Sequence, residues 1–227
     1  MTKAPLPDQI PIFPLTGAIL LPKGNLPLYI FEQRYKEMID YSLKHSGFLG
    51  MIQPSVTVKP KSTSENDLYG TEPTGRDLYK IGGLGVISEF EQLNDGRFLI
   101  IVTGLSRFKI IKELPRKNKF RLVHACYDNF PNDNVENIDY IMKNRGLFIK
   151  EIISYFSAVS MSIDMDGFQD SDDEELINSI AMICPFEPAE KQLLLETPTI
   201  NERFKLLLKI MKINLISNTT SINNIIH

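Results

Sequence analysis

Apolar and polar positions change their period as this chain proceeds, and each change marks an element. Residues 10–35 read IPIFPLTGAILLPKGNLPLYIFEQRY, an apolar run punctuated by Pro11, Pro14, Pro22 and Pro27. Proline fixes φ and cannot donate to a ladder, so this run reads as a stiff, extended edge lying across a surface. A helix is predicted from Glu32 to about His45, with Phe31, Tyr35, Met38, Ile39 and Leu43 recurring at helical spacing on a buried face. Lys44 and His45 suit its C-terminal dipole, and Gly47 is the expected stop. A short strand from Phe48 to Gln53 ends at Pro54. Ser55 to Tyr79 is polar and carries Pro60, Gly70, Pro73 and Gly75, the composition of a surface loop.

From Lys80 the period becomes two. Ile81–Phe90, Arg97–Thr103, Arg107–Leu114 and Phe120–Tyr127 read as consecutive strands, with Asn94-Asp95-Gly96 as a hairpin turn and Pro115–Lys119 as a second turn. Short strands joined by tight turns favour a mostly antiparallel, barrel-like sheet. Gly82, Gly83 and Gly85 lie inside a strand, which points to close backbone packing and not to a nucleotide loop. Phe130 to Asn134 is the boundary at which the pattern becomes helical. Ile138, Ile141, Met142, Phe148, Ile152, Phe156 and Val159 predict a long amphipathic helix with Gly146 inside it. Ser171 to Glu174 and Thr199 to Glu202 read as capping boxes, Pro185 as a stop and Pro188 as a first-turn proline. The expected organisation is α+β: a β domain with one helix over 1–130, a helical bundle over 131–217 and a flexible polar tail over 218–227.

Composition narrows the class. The chain has 227 residues, 43% of them hydrophobic and 23% charged, ordinary values for a globular protein. A formal net charge of −3 argues against a general polyanion binder. Cys126 and Cys184 have no metal spacing and read as buried thiols. Neither a secretory signal nor a membrane-length apolar run is visible, so a cytoplasmic location is expected.

Candidate chemistry is sparse. Asp164, Asp166, Asp170, Asp172 and Glu175 suggest a calcium loop, but Phe168 and Gln169 stand where an oxygen ligand and a glycine are required. A solvated loop that caps a helix is the simpler reading. His45, His124 and His227 have no metalloprotease spacing, and Ser62 beside Lys61 sits in polar loop sequence. Arg107, Lys109, Lys112, Arg116, Lys117, Lys119 and Arg121 make the hairpin 107–121 basic. That hairpin is an RNA-binding alternative, weakened by the acidic total and the absence of tryptophan. Glu32, Arg34 and Arg107 read as a structural charge pairing between the first helix and a strand, since no nucleophile or second acid accompanies them. No catalytic, cofactor or metal residue is assigned. An enzyme with an unfamiliar site remains the other alternative.

Phe13-Pro14-Leu15, then Pro22, then Pro27-Leu28-Tyr29-Ile30-Phe31-Glu32-Gln33-Arg34-Tyr35 resemble the opening signature of the Lon protease N-terminal domain family. Asp95-Gly96-Arg97 and Gly104-Leu105-Ser106-Arg107-Phe108 are similar to that family's second motif. The resemblance implies a PUA-like β pseudo-barrel followed by a helical bundle. It implies a substrate-recognition part standing alone, for there is no Walker A loop and no Ser-Lys peptidase module. The expected function is therefore non-catalytic polypeptide binding, in protein quality control or delivery to a protease, without a cofactor. Unfolded or specific client polypeptides are the expected partners, with a protease or chaperone beside them and no nucleic acid or membrane. The signature residues Phe13, Pro14, Leu15, Pro27, Leu28, Phe31, Glu32, Arg34, Tyr35, Gly96, Arg97, Gly104, Arg107 and Phe108 read as structural, joining the two motifs through Glu32 or Arg34 and the strand of Arg107. An apolar groove between sheet and bundle would hold clients, with Phe168 and the 55–79 loop as contact candidates.

Overall fold

The strands that follow residue 80 wrap into a barrel because their longest members are bent. In the computed structural model, which describes residues 5–55, 78–115, 117–133, 142–168 and 170–223 (side chains to 216), β4 (Ile81–Gln92) and β5 (Phe98–Glu113) form a long hairpin. Register shifts at Leu84/Gly85, Ile87/Glu89 and Ile110/Lys112 mark bulges. Bulges bend and twist a strand, so the first half of β5 pairs with β2 (Asn25–Ile30) while its second half reaches β6 (Arg121–Cys126). β1 (Gln9–Pro14) pairs parallel with β3 (Phe48–Ile52) and antiparallel with β6. The sheet order β2-β5-β4-β3-β1-β6, with β5 also on β6, closes a ring from which β2 projects as an edge.

Ile10 and Ile12 of β1, Ile52 of β3, Leu84 of β4, Phe108 of β5 and Val123 of β6 form one buried cluster. Every strand of the ring contributes and no helix does, so this cluster is the barrel interior. The larger core joins the sheet to the helices: Leu28, Ile30, Ile100 and Val102 lie in the same buried cluster as Ile177, Ile180, Leu194 and Leu207.

Two expectations about the strands change. Arg97–Thr103 and Arg107–Leu114 are parts of one strand, β5, because Gly104 continues the ladder instead of breaking it. A Cβ at Gly104 would lie 2.0 Å from the Leu21 carbonyl oxygen, and one at Gly83 would lie 1.9 Å from that of Leu20. The two glycines let the fully buried run Ile19-Leu20-Leu21 cross tightly over β4 and β5. β1 is an interior strand, not an edge. It pairs with β6 over Gln9–Ile12 and with β3 over Ile12–Pro14, so Pro11 falls where only one neighbour is in register.

α1 (Gln33–Lys44) buries Tyr35, Met38, Ile39 and Ser42, whereas Phe31 is 66% and Leu43 41% exposed. Phe31 precedes the helix and continues the parity of β2, which turns it away from the core. Gly47 ends the helix at φ +74, its N–H donating to the Ser42 carbonyl at 2.7 Å. The bundle comprises α2 (Arg145–Ala158), α3 (Asp173–Ile183), α4 (Pro188–Glu196) and α5 (Ile200–Asn223). Gly146 lies in the first turn of α2 instead of its interior, since the Asn144 side chain caps the helix by accepting from Leu147 N–H at 3.2 Å. The expected helical positions Ile138 and Ile141 fall outside the described residues. α3 is capped by Asp172 through the Glu175 N–H at 2.8 Å, one position after the predicted box. The Thr199–Glu202 box forms as read, with hydroxyl and carboxylate meeting at 2.8 Å. α5 continues past Asn218, so the segment read as tail is helical as far as Asn223. Between Gln53 and Tyr79 the expected loop lies outside the described residues from 56 to 77, but its ends meet, Tyr79 N–H donating to the Gln53 carbonyl at 3.0 Å.

Candidate functional site

The signature residues split into a buried set and an exposed set. Phe13 packs against Tyr35 with ring centroids 4.3 Å apart and planes tilted by 47°, Leu28 and Phe108 are buried, and Gly104 lies under the Leu21 carbonyl. Arg97 pairs with Asp95 across the turn at 2.7 Å. The proposed link from Glu32 or Arg34 to the strand of Arg107 is not the one the molecule makes. Arg34 Nε donates to Glu32 at 2.9 Å, and its guanidinium lies 4.5 Å from the Tyr35 ring centroid. The two motifs do meet, through the backbone pairing of β2 with residues 98–103 of β5.

Arg107 binds elsewhere. Only 2% exposed, it grips Asp133 with two guanidinium nitrogens, each at 2.7 Å, and lies 4.0 Å over the Phe130 ring centroid. Its guanidinium also reaches the carbonyls of Leu195 at 3.1 Å, in the last turn of α4, and of Thr197 at 2.5 Å and Pro198 at 3.1 Å just beyond it. Arg203, also 2% exposed, approaches the same end, donating to the Leu194 carbonyl at 3.1 Å and to Asn178 Oδ1 at 2.8 Å. A helix C-terminus concentrates unpaired carbonyls and partial negative charge, which suits two guanidinium groups with one carboxylate between them. Burial, reinforced by the charge of Arg107, presses the Arg203 pKa down to about 9. This cluster fastens the sheet to the bundle. Asp133 and Arg203 were not singled out in the sequence, and no local motif marks partners separated by 26 and 25 positions.

Other candidates are already engaged. Lys119 bonds Glu37 at 2.7 Å and Arg121 bonds Glu113 at 2.9 Å, so with Arg107 buried the 107–121 hairpin offers less free charge than its sequence suggests. Arg116 lies outside the described residues, as does Ser62. Asp172 caps α3 and bonds Lys23 at 2.7 Å, while Asp164 accepts from Asp166 N–H at 2.9 Å. Among the described residues no group of three or more His, Cys, Asp or Glu could hold a metal ion. Burial pushes the Cys184 thiol up to about 12, keeping it protonated and unreactive at neutral pH. Cys126 is only half-buried, against the expectation of two buried thiols.

Apolar residues of sheet and bundle, expected to border a groove, share one buried cluster. Phe168 leans back on this core and stays partly exposed. Apolar surface is found on β2. Tyr29 and Phe31 are 61% and 66% exposed, and Pro27 is exposed beside them. Alternation puts Leu28 and Ile30 in the core and Pro27, Tyr29 and Phe31 on the opposite face. Directly across β5, Ile101 stands opposite Pro27 and Leu99 opposite Tyr29, both half-buried, and beyond them on β4 come the exposed Glu89 and Glu91. An apolar strip rimmed by carboxylates thus runs along the projecting edge. The sequence held one sign of it: NLPLYIF is apolar at both parities, although an edge strand buries only one face.

This arrangement supplies contact area and backbone, not reacting groups. No helix among the described residues is long and apolar enough to cross a membrane. A family model described as the ATP-dependent protease La (LON) substrate-binding domain matches residues 9–213. The chain is 22% identical to a Lon protease of Dictyoglomus thermophilum over 88% of its length, and 24% identical to Lon protease 2 of Myxococcus xanthus over 93%. It spans about a quarter of those proteins, 24% of each. Its fold matches a Lon N-terminal domain protein from Xanthomonas campestris (TM-score 0.57, 18% identity, 88% of this chain and 97% of that one). It also matches the N-terminal domain of Mycobacterium avium complex Lon protease (TM-score 0.57, 16% identity, 90% and 98%). With its barrel and helical bundle in place and the match running through both, the chain belongs to the Lon substrate-binding domain family.

Proposed function

We propose that this chain is a non-catalytic polypeptide-recognition protein whose contact surface is the outward face of β2 and β5. The observation that carries the reading is the exposure of Tyr29 and Phe31, at 61% and 66%. Large aromatic side chains gain most when covered, and an apolar strip with a charged rim is the form that protein-binding surfaces take. The family description adds a context in which substrates are polypeptides handed to a protease. In that context the protein holds exposed apolar segments of unfolded clients and delivers them for degradation. A cytoplasmic setting suits this role. Phe168, partly exposed against the core, is a subsidiary contact.

The test is fluorescence anisotropy with labelled β-casein, a natively unfolded probe. The double variant Y29S/F31S should weaken binding about tenfold or more with the thermal midpoint nearly unchanged, because neither ring is buried. Equal affinity in wild type and variant would remove this surface from the function.

A further inference from the structure

We propose that the free edge of β2 binds its client by strand addition, taking an extended apolar segment as a further strand beside β2. This rests on the polypeptide-binding reading and specifies its geometry. β2 pairs only with β5 among the described residues. The Gly104 N–H donates to the Gly24 carbonyl at 2.8 Å, one step beyond the register Asn25↔Thr103. Bonded and non-bonded pairs alternate in an antiparallel ladder, so Leu26, Leu28 and Ile30 bond to β5 while Asn25, Pro27 and Tyr29 do not. The Thr103 hydroxyl reaches Asn25 Oδ1 at 2.8 Å, the close side-chain approach that a non-bonded pair allows.

The backbone groups of Asn25, Pro27 and Tyr29 therefore face outward. They offer three carbonyls and two N–H donors at strand spacing, because Pro27 has no donor. Only another extended backbone matches such a row, and it would set its alternate side chains beside Tyr29 and Phe31. The same row indicates which extended backbone. A second copy of β2 would bring a second proline to the same seam, leaving acceptors without donors on both strands, whereas a proline-free client leaves one. Glu89 and Glu91, two strands away on the face of Pro27 and Tyr29, disfavour acidic side chains on that face of an added strand. The occupant is thus a proline-free, extended segment whose alternate, apolar residues lie beside Tyr29 and Phe31.

The experiment follows backbone amide exchange by NMR in the full chain while adding a capped eight-residue peptide that alternates valine with threonine and ends in lysine. Exchange at Tyr29 and Asn25 should slow tenfold or more at saturation, while the amides of Leu28 and Ile30, already bonded to β5, change little. The same peptide N-methylated at every residue should bind at least tenfold more weakly. Binding that leaves the Tyr29 and Asn25 amides unprotected would overturn strand addition and leave the apolar-surface reading standing. No binding by this peptide, together with no loss of β-casein affinity in Y29S/F31S, would overturn both. Concentration-dependent protection of Tyr29 without peptide would assign the edge to a second copy and overturn the proposal.

Discussion

Arg107 shows how one side chain can serve two parts of a fold. Its guanidinium neutralises Asp133 and satisfies carbonyls at the end of α4, so removing it strands a buried carboxylate and several acceptors together. R107A should cost about 3–5 kcal/mol in urea unfolding, and R107A/D133A should recover part of that loss. Lysine at 107 should rescue little, because an ammonium cannot hold a bidentate carboxylate and reach the carbonyls as well. Asp172 separates two roles in another way. Burial raises its pKa, but the Lys23 ammonium and the Glu175 and Glu174 amides outweigh that and hold it below its ordinary 3.8. A depressed carboxylate contributes stability that is present above its unfolded value and lost as pH falls through the folded one. D172N keeps a capping side chain but not the charge, so it should flatten the stability curve below about pH 4. D172A should in addition cost about 1 kcal/mol at neutral pH for the lost cap. Among thiols, a native-state reagent such as Ellman's should titrate Cys126 and leave Cys184 until the chain unfolds.

At the scale of elements, Gly83 and Gly104 are the tightest of the positions where a methyl group cannot fit, because its neighbour would be a backbone carbonyl and not a flexible side chain. G104A should destabilise by about 1–3 kcal/mol or more, as overpacking does, whereas G146A, with nothing near its Cβ in the first turn of α2, should be neutral or stabilising by up to about 1 kcal/mol. Thermal melts of the pair check both signs. These glycines also mark where the sequence could be read and where it could not. The Asn94–Gly96 turn, the Thr199–Glu202 box and the stop at Gly47 are local signals, and the molecule uses them as read. Gly104 looked like a strand break because its reason lies 83 residues away, counting from Leu21 to Gly104, in a segment that crosses above it. Phe31 was assigned to the helix face by spacing, but the strand before it sets its direction. The exposed strip on β2 and the Arg107–Asp133–Arg203 cluster depend on which edge is left unpaired and which elements converge. Closure of the sheet decides both.

For the whole molecule, the shared core makes sheet and bundle interdependent. A fragment of residues 1–130 would expose Leu28, Ile30, Ile100 and Val102 and leave Arg107 without Asp133 or the α4 carbonyls. Such a fragment should lack a cooperative urea transition, although its β-strands are all present, and should aggregate at concentrations where the full chain stays monodisperse. The crossing segment at residues 19–24 carries the same dependence into time. Its bonds to the bundle, Lys23 to Asp172, Leu21 N–H to Met182 Sδ and Asn178 to the Pro22 carbonyl, span 149, 161 and 156 positions. At synthesis rates of about 5–20 residues per second, the apolar run at 19–21 emerges from the ribosome roughly 8–30 s before its helical partners exist. During that interval the glycine cleft of the β4–β5 hairpin, completed far sooner, is the native cover within reach. A nascent chain with that cleft blocked would itself present an apolar segment of the kind proposed above as a client.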